Sequence, residues 1–347
     1  MDFEIDQRKF LSALALAQTV ADKRSSHVPI LANVLLRATK DNRLVCSATD
    51  MMTSVTETIP VEVKTPGAIT IDVRALHNVV RTLPAKPIRT KTTENHWAEL
   101  KVARSTFKLM GLDYTDFPDL PDPKGQQFTP IPGRAFADLL QRTQFSVSTD
   151  EARVNLNGVL FECDGVKGTM VSTDGHRLTK YSLPFEGPKL ERGIIIPRKG
   201  MLEIKRVLDR VQSDVGLIQA EVGLAVDSRH IFIQAADLTV SVKLNNVVFP
   251  PYEKVISTDY KRRVTVLREE LVDALKRAEV MAPEKTATVR VQLDKGTLQL
   301  TADNPDLGVA HQEIEIDFQG EPLDAGFNAR YLLEILEAID TKEVHLD

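Results

Sequence analysis

Residues 3–20 read FEIDQRKFLSALALAQTV, a short alternating strand running into an amphipathic helix. Phe10, Leu11, Leu14 and Ala17 recur in it at helical spacing. The same unit returns as FTPIPGRAFADLLQRTQF at 128–145 and as VTVLREELVDALKRAEV at 264–280. A second strand–helix unit also appears three times, as ITIDVRALHNVVRTLP, IIIPRKGMLEIKRVLD and GFNARYLLEILEAID, each with an early arginine: Arg74, Arg198 and Arg330. Between the two units lie strand pairs, VLLRATKDNRLVCSATD, GVLFECDGVKGTMVSTD and VRVQLDKGTLQLTADN, whose alternation and turn residues read as hairpins. Self-similarity at a fixed period is the signature of a repeat architecture. The expected fold is therefore α+β: three similar repeats, each of two helices packed on antiparallel sheet.

Repeat one closes with FKLMGLDYTDFPDLP and repeat two with VSVKLNNVVFPPYEKV, while only TKEVHLD follows the last helix. The expected domains are 1–124, 128–255 and 262–347, the third lacking its final strands. Such an ending leaves an unpaired sheet edge.

At 347 residues the chain is too long for one ordinary domain, and with 42% apolar and 27% charged residues it has ample core material. No apolar run approaches the roughly 18–20 residues that span a bilayer. The start MDFEIDQRKF lacks a signal-peptide pattern, which places the chain in the cytoplasm with no membrane partner. Cys46 and Cys163 sit in apolar runs and read as reduced core residues.

The net charge of −5 is unevenly spread. Six helical segments (8–24, 74–89, 134–142, 198–210, 261–279 and 330–342) carry +12, leaving −17 elsewhere. One reading is solvated helix faces, since helices favour Lys and Arg. The other is a basic helical surface for a polyanion beside an acidic exterior. With no aromatic platform or base-reading motif, such binding would be to phosphates, without sequence preference.

The stretch VSTDGHRL at 171–178 gathers Asp174, His176 and Arg177 on a glycine turn. A metal site would need further ligands at suitable spacing, and no Ser or Cys stands in a nucleophile signature. The equivalent turns CSATDMMTS and LTADNPDLG repeat the acid as Asp50 and as Asp303 or Asn304, which suits a backbone-capping role. Gly175-His176-Arg177-Leu178 belongs to repeat two alone. Three functions stay open on the residues: a DNA-binding repeat protein, an enzyme using Asp174 and His176, and a scaffold that binds protein only.

The threefold repeat, together with HVPILANVLL, FPDLP, NLNGVLFE, VSTDGHRL, IIIPRKG and NNVVFPPYEKV in that order, resembles the bacterial DNA sliding clamps, the β subunits of DNA polymerase III, over the whole chain. The resemblance implies a head-to-tail homodimer closing into a ring around duplex DNA. It implies a processivity factor that slides without sequence preference and catalyses nothing, with no cofactor or metal. Implied partners are the replicative polymerase catalytic subunit, the clamp loader and other proteins bearing a clamp-binding motif. Carried onto this sequence, DNA-facing residues are Arg74, Arg198 and Lys199, with Arg24 adjacent to a basic position of the family, and the basic helical segment 198–210 adds Arg206. The partner-peptide pocket takes Leu156, Thr173, Gly175, His176, Arg177, Leu178, Pro250, Lys254 and Val255, and the dimer seam Phe107 and Leu109 against Val280 and Met281. In that pocket Thr173, His176 and Arg177 are expected to supply rim hydrogen bonds over an apolar floor.

Overall fold

The computed structural model describes residues 1–22, 28–213, 221–257 and 262–347. The first repeat runs β1 (Asp2–Ile5), α1 (Gln7–Val20), β2 (Asn33–Ala38), β3 (Arg43–Thr49), β4 (Thr53–Pro60), β5 (Glu62–Thr65), β6 (Gly67–Asp72), α2 (Val73–Thr82), β7 (Ile88–Thr92), β8 (Trp97–Val102) and β9 (Ser105–Leu112). The second runs β10 (Thr129–Ile131), α3 (Gly133–Thr143), β11 (Gly158–Cys163), β12 (Lys167–Thr173), β13 (Leu178–Pro184), β14 (Ile194–Pro197), α4 (Arg198–Ser213), β15 (Val222–Val226), β16 (His230–Ala235) and β17 (Leu238–Lys243). The third runs β18 (Val264–Leu267), α5 (Arg268–Glu279), β19 (Thr288–Asp294), β20 (Thr297–Asn304), β21 (Gly308–Glu315), β22 (Leu323–Asn328), α6 (Ala329–Glu337) and β23 (Glu343–Leu346). Pairing between these strands is antiparallel.

The helices form where the sequence supplies both a cap and an apolar stripe. Asp6 accepts from the backbone N–H groups of Arg8 and Lys9 at the start of α1, and Phe10, Leu14 and Ala17 then face the core. Asp72 caps α2 and Asn328 caps α6 in the same way. Helix α2 stops at Thr82, before Pro84. Residues 83–89 are therefore not helical, and Arg89 stands on β7 in a two-pronged ion pair with Asp2 of β1, at 3.0 and 2.7 Å. The helical charge excess shrinks accordingly. Within the observed limits α1 and α2 are each net +2, α3 +1 and α4 +3, while α5 and α6 are each −1.

The Asp2–Arg89 pair has a measurable consequence. The guanidinium holds the largely buried Asp2 carboxyl below the usual carboxylate range. A carboxylate whose folded pKa is depressed adds stability above its unfolded pKa of about 3.9, lost as pH falls through the lower folded value. D2N is expected to lose stability at pH 6 and to show a flatter acid limb below about pH 4. Thermal midpoints across pH 2.5–6 check this; a constant gap between the two proteins would contradict it.

The chain divides into two compact units, Met1–Val248 and Phe249–Asp347. In the first, one sheet of thirteen strands passes through both repeats, in the order β10-β15-β16-β17-β4-β3-β2-β6-β9-β8-β7-β1-β5. The repeats meet where β17 pairs with β4, from Leu238 opposite Glu57 to Val242 opposite Thr53. Val240 and Val242 are buried there, and Arg210 of α4 clasps Glu57 through bonds of 2.9 and 2.6 Å. Arg43 reaches Asp237 at 3.0 Å across the same junction.

The glycine of the PRKG motif has its reason at this junction. A Cβ on Gly200 would lie 2.1 Å from Val242 Cγ1, so only glycine lets the start of α4 settle on β17. Helix propensity alone favours alanine by about 1 kcal/mol. The overlap reverses the sign, and G200A is expected to destabilise by about 1–3 kcal/mol. Urea unfolding checks this, and a stabilised variant would refute the packing argument.

The second unit holds the sheet β21-β20-β19-β22 and the pair β18-β23. Where repeat one places β1, β7, β8 and β9 and repeat two β10 and β15 to β17, repeat three has, among the described residues, β18 and β23 alone. Beside this pair opens a cavity of about 630 Å³, lined by Leu271, Leu275, Val291, Leu336 and Val344 among others.

Candidate functional site

Aligning the helix starts refines the arginine pattern. Arg74 and Arg330 are the second residues of α2 and α6, and their counterpart in α4 is Lys199; Arg198 is the first residue of α4. Arg74 and Arg198 are exposed and make no ion pair among the described residues. Lys199 is also exposed, but it pairs with Asp50 of the β3–β4 turn. Arg206 pairs with Glu203, which is 3% exposed and also accepts from Thr19 of α1 at 2.6 Å. Arg330 pairs with Glu279 at 3.0 Å. The five early and mid-helix cations thus divide into two free ones and three already partnered. Arg24 lies outside the described residues.

The β12–β13 turn is knitted by its own side chains. Asp174 Oδ1 accepts from the His176 and Arg177 N–H groups at 2.9 and 3.1 Å, and Oδ2 from Arg177 Nε at 3.0 Å. Thr173 Oγ1 accepts from Gly175 N–H at 3.1 Å and donates to the Arg177 carbonyl at 2.6 Å. Arg177 Nη2 donates to the Phe145 carbonyl at 2.6 Å, with the guanidinium carbon 5.3 Å from the Phe145 ring centroid. Gly175 takes φ +90°, a conformation suited to glycine. Thr173 and Arg177 therefore spend these polar groups inside the turn, against the expectation that both stand as rim donors. His176 is exposed beside them, and Leu156 and Leu178 are half-buried.

The first repeat builds the same turn. Asp50 Oδ1 accepts from Met52 and Thr53 N–H at 3.0 and 2.6 Å, and Thr49 Oγ1 accepts from Met51 N–H and donates to the Thr53 carbonyl, each at 3.0 Å. In the third, Asn304 Oδ1 accepts from Asp306 N–H at 3.0 Å. The recurring Asp or Asn is a turn-former in all three. No group of three or more His, Cys, Asp or Glu among the described residues could hold a metal. Cys46 and Cys163 are free and buried, and burial pushes both thiols up.

Pro250, Lys254 and Val255 lie in the second unit; Pro250 is half-buried, the other two exposed, and Tyr252 and Phe249 anchor the segment by an edge-on ring contact at 6.5 Å. Phe107 and Leu109 project from β9 onto the first core and are half-buried. Val280 is 69% exposed at the end of α5, and Met281 packs partly on the second core. Counting from the hairpin turns, Phe107 and Leu109 correspond to Val240 and Val242 of the β4–β17 junction. Among the described residues, outside its bonds to β6 at Gly111 and Leu112, β9 pairs only with β8, and β21 only with β20. Exposed Met110 on β9 and Val309 on β21 escaped the sequence reading, because isolated apolar residues in alternating strands give no sign of which side is covered.

Family models for the DNA polymerase III beta subunit match the N-terminal domain at residues 1–121, the central domain at 130–251 and the C-terminal domain at 253–347. The chain is 32% identical to the beta sliding clamp of Pseudomonas aeruginosa over 346 residues, covering 99% of this chain and 92% of that one. It is 29% identical to the Escherichia coli beta sliding clamp over 347 residues, again 92% of the relative's length. The crystal structure of the P. aeruginosa DNA polymerase III subunit beta superposes with a TM-score of 0.91 at 32% identity, covering 99% of this chain and 92% of that one. The C. crescentus beta sliding clamp gives 0.92 at 29% identity, with the same coverage. The chain belongs to the DNA polymerase III beta subunit family, the bacterial beta sliding clamps.

Proposed function

We propose that this chain, a non-catalytic DNA polymerase processivity factor, pairs with a second copy into a ring that encircles duplex DNA and slides along it. The observation that carries the ring is the β4–β17 junction. It joins two repeats by a continuous ladder, while β9 and β21, its counterparts, keep unpaired edges. Pairing β9 of one copy with β21 of the other repeats the same joint and closes it symmetrically. Phe107 and Leu109 then complete their burial against the second copy, with Val280 and Met281 beside them.

Arg74 and Arg198 supply the freest positive charge toward phosphate, and Arg24, Lys199 and Arg206 are secondary. Partner peptides from the polymerase catalytic subunit, the clamp loader and other replication proteins meet Leu156, Thr173, Gly175, His176, Arg177 and Leu178, with further contacts from Pro250, Lys254 and Val255. His176 is the exposed polar group of the turn, while Thr173 and Arg177 fix its shape. No described helix is long and apolar enough to cross a membrane, and the proposed place of action is the cytoplasm. Primer extension on a long circular template, with a clamp loader and replicative polymerase, tests the function. Products lengthen severalfold when the chain is added; unchanged lengths would overturn it.

A further inference from the structure

We propose that a second cleft, at the junction of the first and second repeats, binds a short extended peptide of a partner protein whose apolar side chains are flanked by carboxylates. The cleft has a volume of about 320 Å³ and is walled by the β3–β4 turn, the closing segment of the first repeat after β9, the β15–β16 turn and the end of β17. It lies wholly within the first unit and shares no residue with the Thr173–Leu178 turn. That volume is at the small end of ligand-sized clefts, room for a few side chains.

Three independent features point to an occupant. The apolar part comes from Met51 and Met52, 61% and 46% exposed, with Leu120 and Pro121 beside them. Methionine is flexible and polarisable, and is used where a surface must fit varied apolar side chains. The rim carries Arg229 and Lys243, both exposed and without an ion pair among the described residues, against one lining carboxylate, Asp119. That imbalance favours carboxylates on the ligand, and the lining's aromatic ring, His230, is largely buried against Phe232 and Asp227 and so offers no open face to stack a base.

The backbone supplies the third feature. Met51 is held at φ +72°, where the matching turn of repeat two uses Gly175 at +90°. A side chain there is strained, and an exposed methionine recovers little by burial. The turn itself is already made by Thr49 and Asp50, so folding does not call for this side chain.

The experiment uses the full chain labelled with ¹³C at the methionine methyls, assigned through M51A and M52A. The probe is an eight-residue peptide alternating Asp or Glu with Leu or Phe; the controls are its Asn/Gln counterpart and an oligo-dT of eight nucleotides. Saturable shifts at the Met51 and Met52 methyls are expected with the acidic peptide, and binding at least tenfold weaker for R229E/K243E and for the amide peptide. H176A/L178A is expected to leave these shifts in place, which separates this cleft from the proposed pocket at that turn. M51G is expected to match or exceed the parent's thermal midpoint while losing peptide affinity. The proposal is overturned by unmoved methyls at millimolar peptide, by equal binding of the amide peptide, by tighter binding of the oligonucleotide, or by a lower midpoint for M51G.

Discussion

R74E/R198E is expected to bind duplex DNA on the order of a hundredfold more weakly, with a salt dependence shallower by about 1.8 per protomer, or about 3.6 for the two-copy ring, in log K against log salt. Each lost phosphate contact removes about 0.9 from that slope. Arg74 and Arg198 are the right pair to reverse because their guanidiniums are exposed and make no ion pair among the described residues. K199A/R206A serves as the comparison. Those side chains already neutralise Asp50 and Glu203, so their removal should change the DNA slope less and the stability more. Fluorescence anisotropy on one duplex length across 25–200 mM salt checks both variants. An unchanged slope for R74E/R198E would move the DNA surface elsewhere.

The second large effect is at the seam between copies. F107A/M281A should weaken dimerisation by roughly 2–4 kcal/mol, about thirty- to several-hundredfold in dissociation constant, as truncation of apolar anchors does. Both side chains are half-buried in the single chain, so part of the damage will fall on folding. V280S separates the two effects: Val280 is 69% exposed, and its loss should touch association alone. Sedimentation velocity gives the dimer fraction and urea unfolding the stability. A dimer undiminished in both variants would remove these residues from the seam.

The threefold fold was legible because each repeat restates the same strand–helix spacing, and Phe10, Leu14 and Ala17 fall on one helix face as that spacing predicts. Helix ends were less so. The basic run from Arg74 to Arg89 looks continuous, yet Pro84 breaks it and Arg89 answers Asp2 from a strand 87 residues away. Which cations remain free could not be read locally. Lys199 meets Asp50 across 149 residues, although Arg206 and Glu203, three apart on α4, were within reach of the sequence. The DGHR turn shows the same limit. Its residue types announced a site, but only geometry separates Thr173 and Arg177, which hold the turn, from His176, which faces outward. The strain at Met51 was visible only by setting the first turn beside Gly175 of the second.

On the proposed function the protein holds DNA by enclosing it rather than by gripping it. The most direct measurement loads the labelled chain onto nicked circular DNA with a clamp loader, raises the salt until simple phosphate contacts dissociate, and then linearises the circle with a restriction enzyme. Enclosure predicts retention on the circle for minutes and loss within seconds of linearisation, restored by blocking both ends with bulky protein. Equal retention on circular and linear DNA, or equal loss from both on raising the salt, would contradict it.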